Sequence, residues 1–354
     1  MIIIFGYIVF CIGLFTLYLL GKKRAKEKTN NQSGEKYQSE CISVIIPFRN
    51  EEAHLPELIK STQQLSKQPL EFIWVNDHST DKSISILELT LLHQNHSILH
   101  LPNELTGKKN ALSYGISKAK GDYILTWDAD IIVPSNYFQQ LETYSINALS
   151  ILPVEMKQVN YKTVFFTNEF QFLNQLNYAV FGLRRPIMAN GANLIFDKSV
   201  FNQLQPYQNN LNIASGDDQF LLIQFIEQKQ SISYLRDNTL TVITKTHTTI
   251  NQCFNQRIRW ASKTQKVNDR LANGIGLLGM VYYFSPILFL TLSLNYFLIP
   301  FLLKSIFDFI ILEQKINPRN ISNSFIFSFL YPFYVVTLGI VTLFTKAEWK
   351  DRVI

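Results

Sequence analysis

Ile2 to Leu20 forms an almost unbroken apolar run, and Lys22, Lys23, Arg24, Lys26 and Lys28 follow it directly. That length matches the roughly 20 residues a helix needs to cross a bilayer. The basic flank belongs on the cytosolic side, which predicts an outward N-terminus. A cleavable signal peptide carries positive charge ahead of its apolar run and small residues at a cleavage site behind it, and neither is present. Residues 1–21 are therefore expected to be an anchor. A basic and polar linker over 22–40 should follow, flexible from Thr29 to Glu40, where Asn, Gln, Ser and Glu recur without periodicity.

The other end of the chain has the same character. After Gly274 the sequence is apolar from Ile275 to about Leu303, continues to Leu312, and has a last run from Phe325 to Phe344. Two or three transmembrane or interfacial helices are expected within 273–346, ahead of a tail at 347–354. Asp308 would be costly in hydrocarbon unless it faces other helices or its segment lies along the interface. A composition of 47% hydrophobic residues and only 17% charged, with 27 Phe and 16 Tyr, agrees with a chain partly in lipid. Much of the net charge of +6 sits at Lys22 to Lys28 and Arg257 to Arg270, beside apolar segments. This is the pattern of a membrane flank, and nucleic acid is not expected as a partner. Cys11, Cys41 and Cys253 stand far apart, which fits reduced thiols in a cytosolic domain.

Between these ends, from 41 to 272, short apolar runs alternate with stretches of helical period. Strands are predicted at Ser43 to Pro47, Glu71 to Val75 and Tyr123 to Trp127. Helices are predicted at Glu52 to Leu65, Ser83 to His93 and Lys109 to Lys118. The alternation predicts an α/β domain with a mostly parallel sheet covered on both faces. Such sheets bind ligands at the carboxyl ends of their strands, which singles out Arg49 to Glu51, Asn76 to Asp81 and Asp128 to Asp130.

Asp128 and Asp130 alternate at the end of a strand, so their carboxylates can converge. Paired hard oxygens suit Mg2+ or Mn2+, which would neutralise a departing diphosphate; a solvated turn capped by Asp128 is the alternative. Asp77 can accept hydrogen bonds from a base or ribose, while Asp81 can equally cap the helix beginning at Lys82. Gly107-Lys108-Lys109-Asn110 offers cations to phosphate oxygens or forms a solvated basic turn. Ser215-Gly216-Asp217-Asp218 precedes an apolar helix. Asp218 is the candidate base for an acceptor hydroxyl, unless both acids only complement the helix dipole. Gln256-Arg-Ile-Arg-Trp260 combines guanidinium groups that can fork onto phosphate with a ring that can stack on a sugar, and interfacial anchoring is its alternative.

In this order the segments resemble the family 2 inverting glycosyltransferases of the GT-A fold, which include membrane polysaccharide synthases and ceramide glucosyltransferase-like enzymes. The resemblance runs from about Ser43 to Trp260: Ser-Val-Ile-Ile-Pro-Phe-Arg-Asn-Glu51 looks like the first strand and nucleotide loop, Val-Asn-Asp-His-Ser-Thr-Asp81 like the uridine loop, and Asp128-Ala-Asp130 like the metal motif. It implies that Pro47, Glu51 and Asp77 lie near uracil and ribose, that Lys108 lies near the donor, and that Asp130 is the principal metal ligand. It also implies that Asn190-Gly191-Ala-Asn193 lines the donor-sugar and acceptor pocket, that Asp218 is the base, and that Gln256, Arg259 and Trp260 close over diphosphate and acceptor. The chain departs from the pattern at Gly216-Asp217, where many polymer synthases carry Thr-Glu, so Asp217 stays open beside Asp218.

The implied reaction is transfer of a hexose or N-acetylhexosamine from a nucleotide-diphosphate sugar, a UDP-sugar by the resemblance, to a lipid or lipid-linked acceptor with inversion. Location in the plasma (inner) membrane with a cytosolic catalytic domain goes with it. Processive polysaccharide synthesis, an inactive nucleotide-sugar-binding subunit, and nucleotidyl transfer on the same kind of sheet are the competing readings. Partner subunits are not named by any of these features.

Overall fold

The computed structural model describes residues 2–30, 34–90, 95–211, 213, 216–264, 267, 269–345, 348–349 and 352–353. Two compact units divide the chain discontinuously. One comprises Met1–Glu27, Gln158–Ile187 and Thr246–Ala347; the other comprises Lys28–Lys157, Met188–Lys245 and Glu348–Ile354. Residues 158–187 and 246–272, which the sequence places in the soluble domain, are thus grouped with the apolar helices.

The second unit is built on a seven-stranded sheet. Its strands are β1 (Ile42–Phe48), β2 (Glu71–Asn76), β3 (His96–His100), β4 (Tyr123–Trp127), β6 (Leu149–Ile151), β8 (Asn193–Asp197) and β9 (Ile232–Tyr234), in the order β3-β2-β1-β4-β8-β6-β9. β3, β2, β1 and β4 are parallel; β8 is antiparallel to both β4 and β6, and β6 is parallel to β9. Only β8 runs against the others, so the expected mostly parallel sheet is present. β1 is buried along its whole length because helices cover both faces, which is why it reads as a continuous apolar run. Pro47 sits opposite Val75 of β2, beyond Ile45 where the ladder to β4 ends, so its missing N–H removes no bond on that side. A smaller sheet has the order β5 (Ile131–Ile132), β10 (Val242–Lys245), β7 (Val154–Lys157).

The helices of this unit are α2 (Leu55–Gln63), α3 (Ser83–Thr90), α4 (Lys108–Lys118), α5 (Tyr137–Leu141), α7 (Lys198–Leu204) and α8 (Asp217–Glu227). α2 starts at Leu55 rather than Glu52, with a proline in its first turn, and buries Leu55, Leu58, Ile59 and Thr62 on one face. α3 is described to Thr90, and the predicted continuation over 91–93 lies outside the described residues. Trp127 of β4 packs edge-on against Tyr137 of α5 at 5.4 Å and near Phe138 at 6.0 Å, with all three rings buried. Each such ring stabilises the unit by roughly 1.5–3 kcal/mol through burial.

The flexible linker expected at 29–40 is corrected where it is described. α1 (Ile2–Asn30) continues through the basic run to Asn30, because Lys, Arg, Ala and Glu favour helix as readily as the apolar segment before them. Tyr37 is fully buried, with its hydroxyl 2.8 Å from Ser150 Oγ and its N–H donating to Tyr144 O. One aromatic in a polar stretch gives no periodic signal, yet it anchors the segment in the core. Residues 31–33 lie outside the described residues.

The first unit is helical: most of α1, with α6 (Val164–Leu183), α9 (Ile250–Thr264), α10 (Arg270–Phe289), α11 (Leu294–Ile311) and α12 (Pro318–Phe344). The last three start at polar caps, where Asp269, Ser293 and Asn317 accept hydrogen bonds from first-turn N–H groups. Among the described residues α1, α10 and α12 are long and apolar enough to cross a membrane.

Candidate functional site

The loops after β1 and β2 are tied into one frame. Asn50 and His78 both adopt left-handed backbone, with φ of 51° and 57°. Arg49 Nη1 donates to the carbonyls of Asp77 and His78 at 2.9 and 3.0 Å, and Asn50 Oδ1 accepts from Thr80 N at 2.8 Å. Asp81 accepts from Glu52 N and from Ser83 N, both at 3.0 Å, so its carboxylate joins the two loops as well as serving the start of α3. Glu52 Oε2 in turn accepts from Lys82 N at 2.9 Å. Asp77 is 2% exposed; its Oδ2 accepts from Gly107 N at 3.1 Å, and His78 Nδ1 lies 3.1 Å from Oδ1. Glu51 Oε2 is 2.7 Å from His54 Nδ1. Arg49 and Asp77 thus hold the loops at the carboxyl ends of β1 and β2 together.

Next to this frame the acids gather around a lysine. Lys108, the first residue of α4, places its Nζ 2.7 Å from Asp128 Oδ1 and 3.1 Å from Asp217 Oδ2. Burial alone would lower the Lys108 pKa, but the Asp128 and Asp217 carboxylates outweigh it and hold the ammonium above its ordinary value. The backbone at Gly191 passes so close that a Cβ there would lie 2.8 Å from Asp217 Oδ2 and 3.2 Å from Lys108 Nζ. Thr126 of β4 fixes that backbone by donating to Gly191 O at 2.9 Å, and Asn190 Oδ1 accepts from Ala192 N at 3.0 Å. Asp217 opens α8 behind Gly216, whose φ of +89° suits a residue without a Cβ. Asp217 is buried and ion-paired, whereas Asp218 is half-buried and accepts from Gln219 N at 2.8 Å. Ser215 lies outside the described residues.

Asp130 accepts from the Thr244 hydroxyl at 3.3 Å and is pushed up to about 6, first by burial and then by Asp128 and Glu51. A carboxylate held partly protonated by a neighbouring carboxylate fits a hard dication, whose shell substrate oxygens can complete. Among the described residues no three Asp, Glu, His or Cys side chains converge into a ready metal cage.

Sequence reasoning undervalued Lys109. It is 3% exposed, donates to Asn210 O at 2.7 Å and Ile213 O at 2.9 Å, and lies 4.2 Å from the Phe220 ring centroid. It anchors the loop leading to Asp217 and Asp218, and the solvated-turn alternative fails for it. Asn193, expected beside the acceptor, is a residue of β8. Its side chain is fully buried, accepts from the Tyr137 hydroxyl at 2.5 Å, and donates to Pro153 O and Leu240 O at 2.9 and 3.0 Å. Those bonds tie β8 to its neighbours and occupy the amide.

Gln256, Arg259 and Trp260 stand on α9, in the helical unit. There Arg257, one of the two guanidinium groups the sequence offers for phosphate, is 2% exposed. Its Nε is 2.8 Å from Glu169 Oε2, its Nη2 donates to Phe166 O at 2.9 Å, and its guanidinium lies 4.4 Å from the Trp260 ring centroid. Only the pairing with Glu169 reveals this, and that residue lies on α6, far off in sequence.

Residues 43–195, which hold β1, β2, β4, both loops and the Asp128–Asp130 pair, match the family described as glycosyl transferase family 2. Over that segment the chain resembles a glycosyltransferase family 2 domain. Among curated proteins it is similar to undecaprenyl-phosphate 4-deoxy-4-formamido-L-arabinose transferase of Proteus mirabilis, 39% identical over 105 residues, covering 28% of this chain and 32% of that protein. It is also similar to glycosyltransferase GlyG of Streptococcus pneumoniae, 38% identical over 104 residues, covering 29% of this chain and 34% of that one. These matches span about a third of the relatives' length. The mannosyltransferase PcManGT of Pyrobaculum calidifontis, solved with GDP-Man and Mn2+, shares the fold at a TM-score of 0.57 and 15% identity, over 96% of this chain and 98% of that one. The match ends at residue 195; Asp217 and Asp218 lie beyond it, and Asp217 is tied to the matched segment by its ion pair with Lys108.

Proposed function

We propose that this chain is a membrane-bound glycosyltransferase that moves a sugar from a nucleoside diphosphate donor to a lipid phosphate or lipid-linked acceptor. The observation that carries the proposal is the Asp128–Lys108–Asp217 cluster at the carboxyl end of β4, two of whose three members lie in the segment that matches glycosyl transferase family 2. The relatives named for undecaprenyl phosphate support a polyprenyl phosphate acceptor. The apolar helices support catalysis at a membrane surface, and the basic residues after Leu20 support a cytosolic catalytic domain.

In this reading the frame of Arg49, Glu51 and Asp77 receives the nucleoside, and Lys108 approaches the diphosphate. Asp217 is committed to Lys108, so Asp218 is the group that takes the proton from the acceptor hydroxyl or phosphate as its oxygen attacks the anomeric carbon, with inversion. A bound Mg2+ or Mn2+ would be held by Asp128 and Asp130 and would supply Lewis-acid neutralisation of the leaving diphosphate. For Gln256, Arg259 and Trp260 the family resemblance implies roles toward diphosphate and acceptor.

The test is a screen of UDP- and GDP-sugars on the purified full chain with undecaprenyl phosphate and Mn2+, reading nucleoside diphosphate release. Asp218→Asn should lower turnover by about 10²–10⁴-fold while Asp217→Asn also weakens UDP binding. Equal turnover by wild type and Asp218→Asn across the whole panel would sink the proposal. A ladder of long products in place of a single glycolipid would move it to processive synthesis.

A further inference from the structure

We propose that α11 is a fourth membrane crossing beside α1, α10 and α12, so that the chain leaves α12 on the face opposite to the one where α10 begins. The proposal rests on the membrane reading above. By composition α11 is the weakest of the four, because it carries Lys304 and Asp308 one turn apart, and an isolated charge in hydrocarbon costs several kcal/mol.

In the helical unit neither charge faces outward. Lys304 Nζ lies 3.1 Å from Asp308 Oδ2, and the two side chains are 1% and 0% exposed. Nζ also donates to Ser328 O of α12 at 3.0 Å and lies 4.3 Å from the Tyr283 ring centroid. The hydroxyls of Tyr282 and Tyr283 of α10 donate to Asp308 Oδ1 at 3.2 and 3.3 Å. The charges therefore neutralise each other, and their remaining hydrogen-bonding capacity is met by the two neighbouring helices. The outward face is apolar from first turn to last: Leu294, Leu298, Leu302, Ile306 and Ile310 recur every fourth residue and are 62, 38, 46, 51 and 44% exposed. Acyl chains are the partner such a stripe fits.

Contacts with α1 fix the direction of α11. Near the start of α1, Tyr7 donates its hydroxyl to Tyr282 O at 2.6 Å and packs edge-on against Phe289 at 5.5 Å, near the end of α10. Midway along α1, Phe15 stacks on Phe307 of α11 at 4.2 Å. At the basic end, Lys22 pairs with Glu313, just past α11. From Phe15 to Lys22 the helix rises roughly 10 Å, and the chain from Phe307 to Glu313 keeps pace with it. α11 thus runs parallel to α1 and α10 runs against it. A helix lying along the membrane surface would meet α1 at one level, whereas α11 follows it through depth. If α1 crosses, so does α11.

The experiment is cysteine accessibility on the full chain in cells, with Cys11, Cys41 and Cys253 replaced by alanine and single cysteines at four exposed positions. These are Asn251→Cys before α10, Leu292→Cys between α10 and α11, Lys315→Cys between α11 and α12, and Thr345→Cys after α12. A membrane-impermeant maleimide, applied before and after permeabilisation, should place Asn251 and Lys315 on one face and Leu292 and Thr345 on the other. Lys315 labelling with Leu292, and Thr345 with Asn251, would overturn the fourth crossing and leave the membrane reading intact. Release of the chain from membranes by alkaline carbonate would overturn the membrane reading, and the proposal with it.

Discussion

Gly191 shows how tightly the charged cluster is built, since the space a methyl group would take is already occupied by an ion pair. A Cβ there would lie 2.8 Å from Asp217 Oδ2, 3.2 Å from Lys108 Nζ and 3.7 Å from Asp218 Cβ. Asp217 is 5% exposed and held by Lys108, so its carboxylate has little freedom to retreat. Gly191→Ala should lower thermal stability by about 1–3 kcal/mol and turnover by roughly tenfold or more. Gly274→Ala, where a Cβ meets nothing within 4 Å, should change neither. Differential scanning fluorimetry with the diphosphate-release assay checks both, and a Gly191→Ala protein matching wild type would remove the tight packing inferred here. At this scale the residue types were legible and their partners were not. Acids after strand ends point to a site, but nothing in the sequence says that Lys108 holds Asp128 and Asp217 together. Asn193 sits in a polar-looking tetrad, and nothing in the sequence says that it is a strand residue whose amide bonds Tyr137, Pro153 and Leu240.

Strands and helices around the site were legible because each has a strong period or an unbroken apolar run: β4 occupies Tyr123–Trp127 as predicted, and β1 and β2 extend their predicted runs by a residue at one or both ends. Segments whose order depends on distant contacts were not, and the loop ahead of α8 is the instructive case. Its backbone carbonyls at Asn210 and Ile213 are gathered by Lys109 from the first turn of α4, so those two residues are held by a helix far earlier in the chain. Lys109→Met keeps the apolar stem against Phe220 but removes both hydrogen bonds, charge-assisted ones worth about 1.5–3 kcal/mol each. Turnover should fall about tenfold or more while the UDP dissociation constant, read by calorimetry, stays within about twofold, because the loops at 49–52 and 76–83 form their own frame. Lys109→Arg should recover part of the loss. A matching loss of UDP affinity would mean that Lys109 serves the donor site and not the acid-bearing loop.

For the whole chain, the discontinuity of the two units was the least legible feature. Gln158–Ile187 and Thr246–Ala347 join the N-terminal helix in one unit, and no local period announces that three distant stretches share a core. What binds them is partly polar. Arg257 of α9 reaches Glu169 of α6 at 2.8 Å, and Tyr334 of α12 donates its hydroxyl to the other oxygen of that carboxylate at 2.8 Å, so one buried acid joins three helices. Arg257 and Glu169 are 2% and 5% exposed, so neither charge can turn to water if the other is lost. Arg257→Met or Glu169→Met alone should destabilise the helical unit by about 3–5 kcal/mol, because each strands a desolvated charge. The double variant strands none. It should lose less than the worse single variant, giving a coupling energy of opposite sign to the single effects. Thermal unfolding of the four proteins in one detergent closes the cycle. Losses in the double variant equal to the sum of the singles would show that Arg257 and Glu169 act independently, and that α9 is held to α6 and α12 by apolar packing alone.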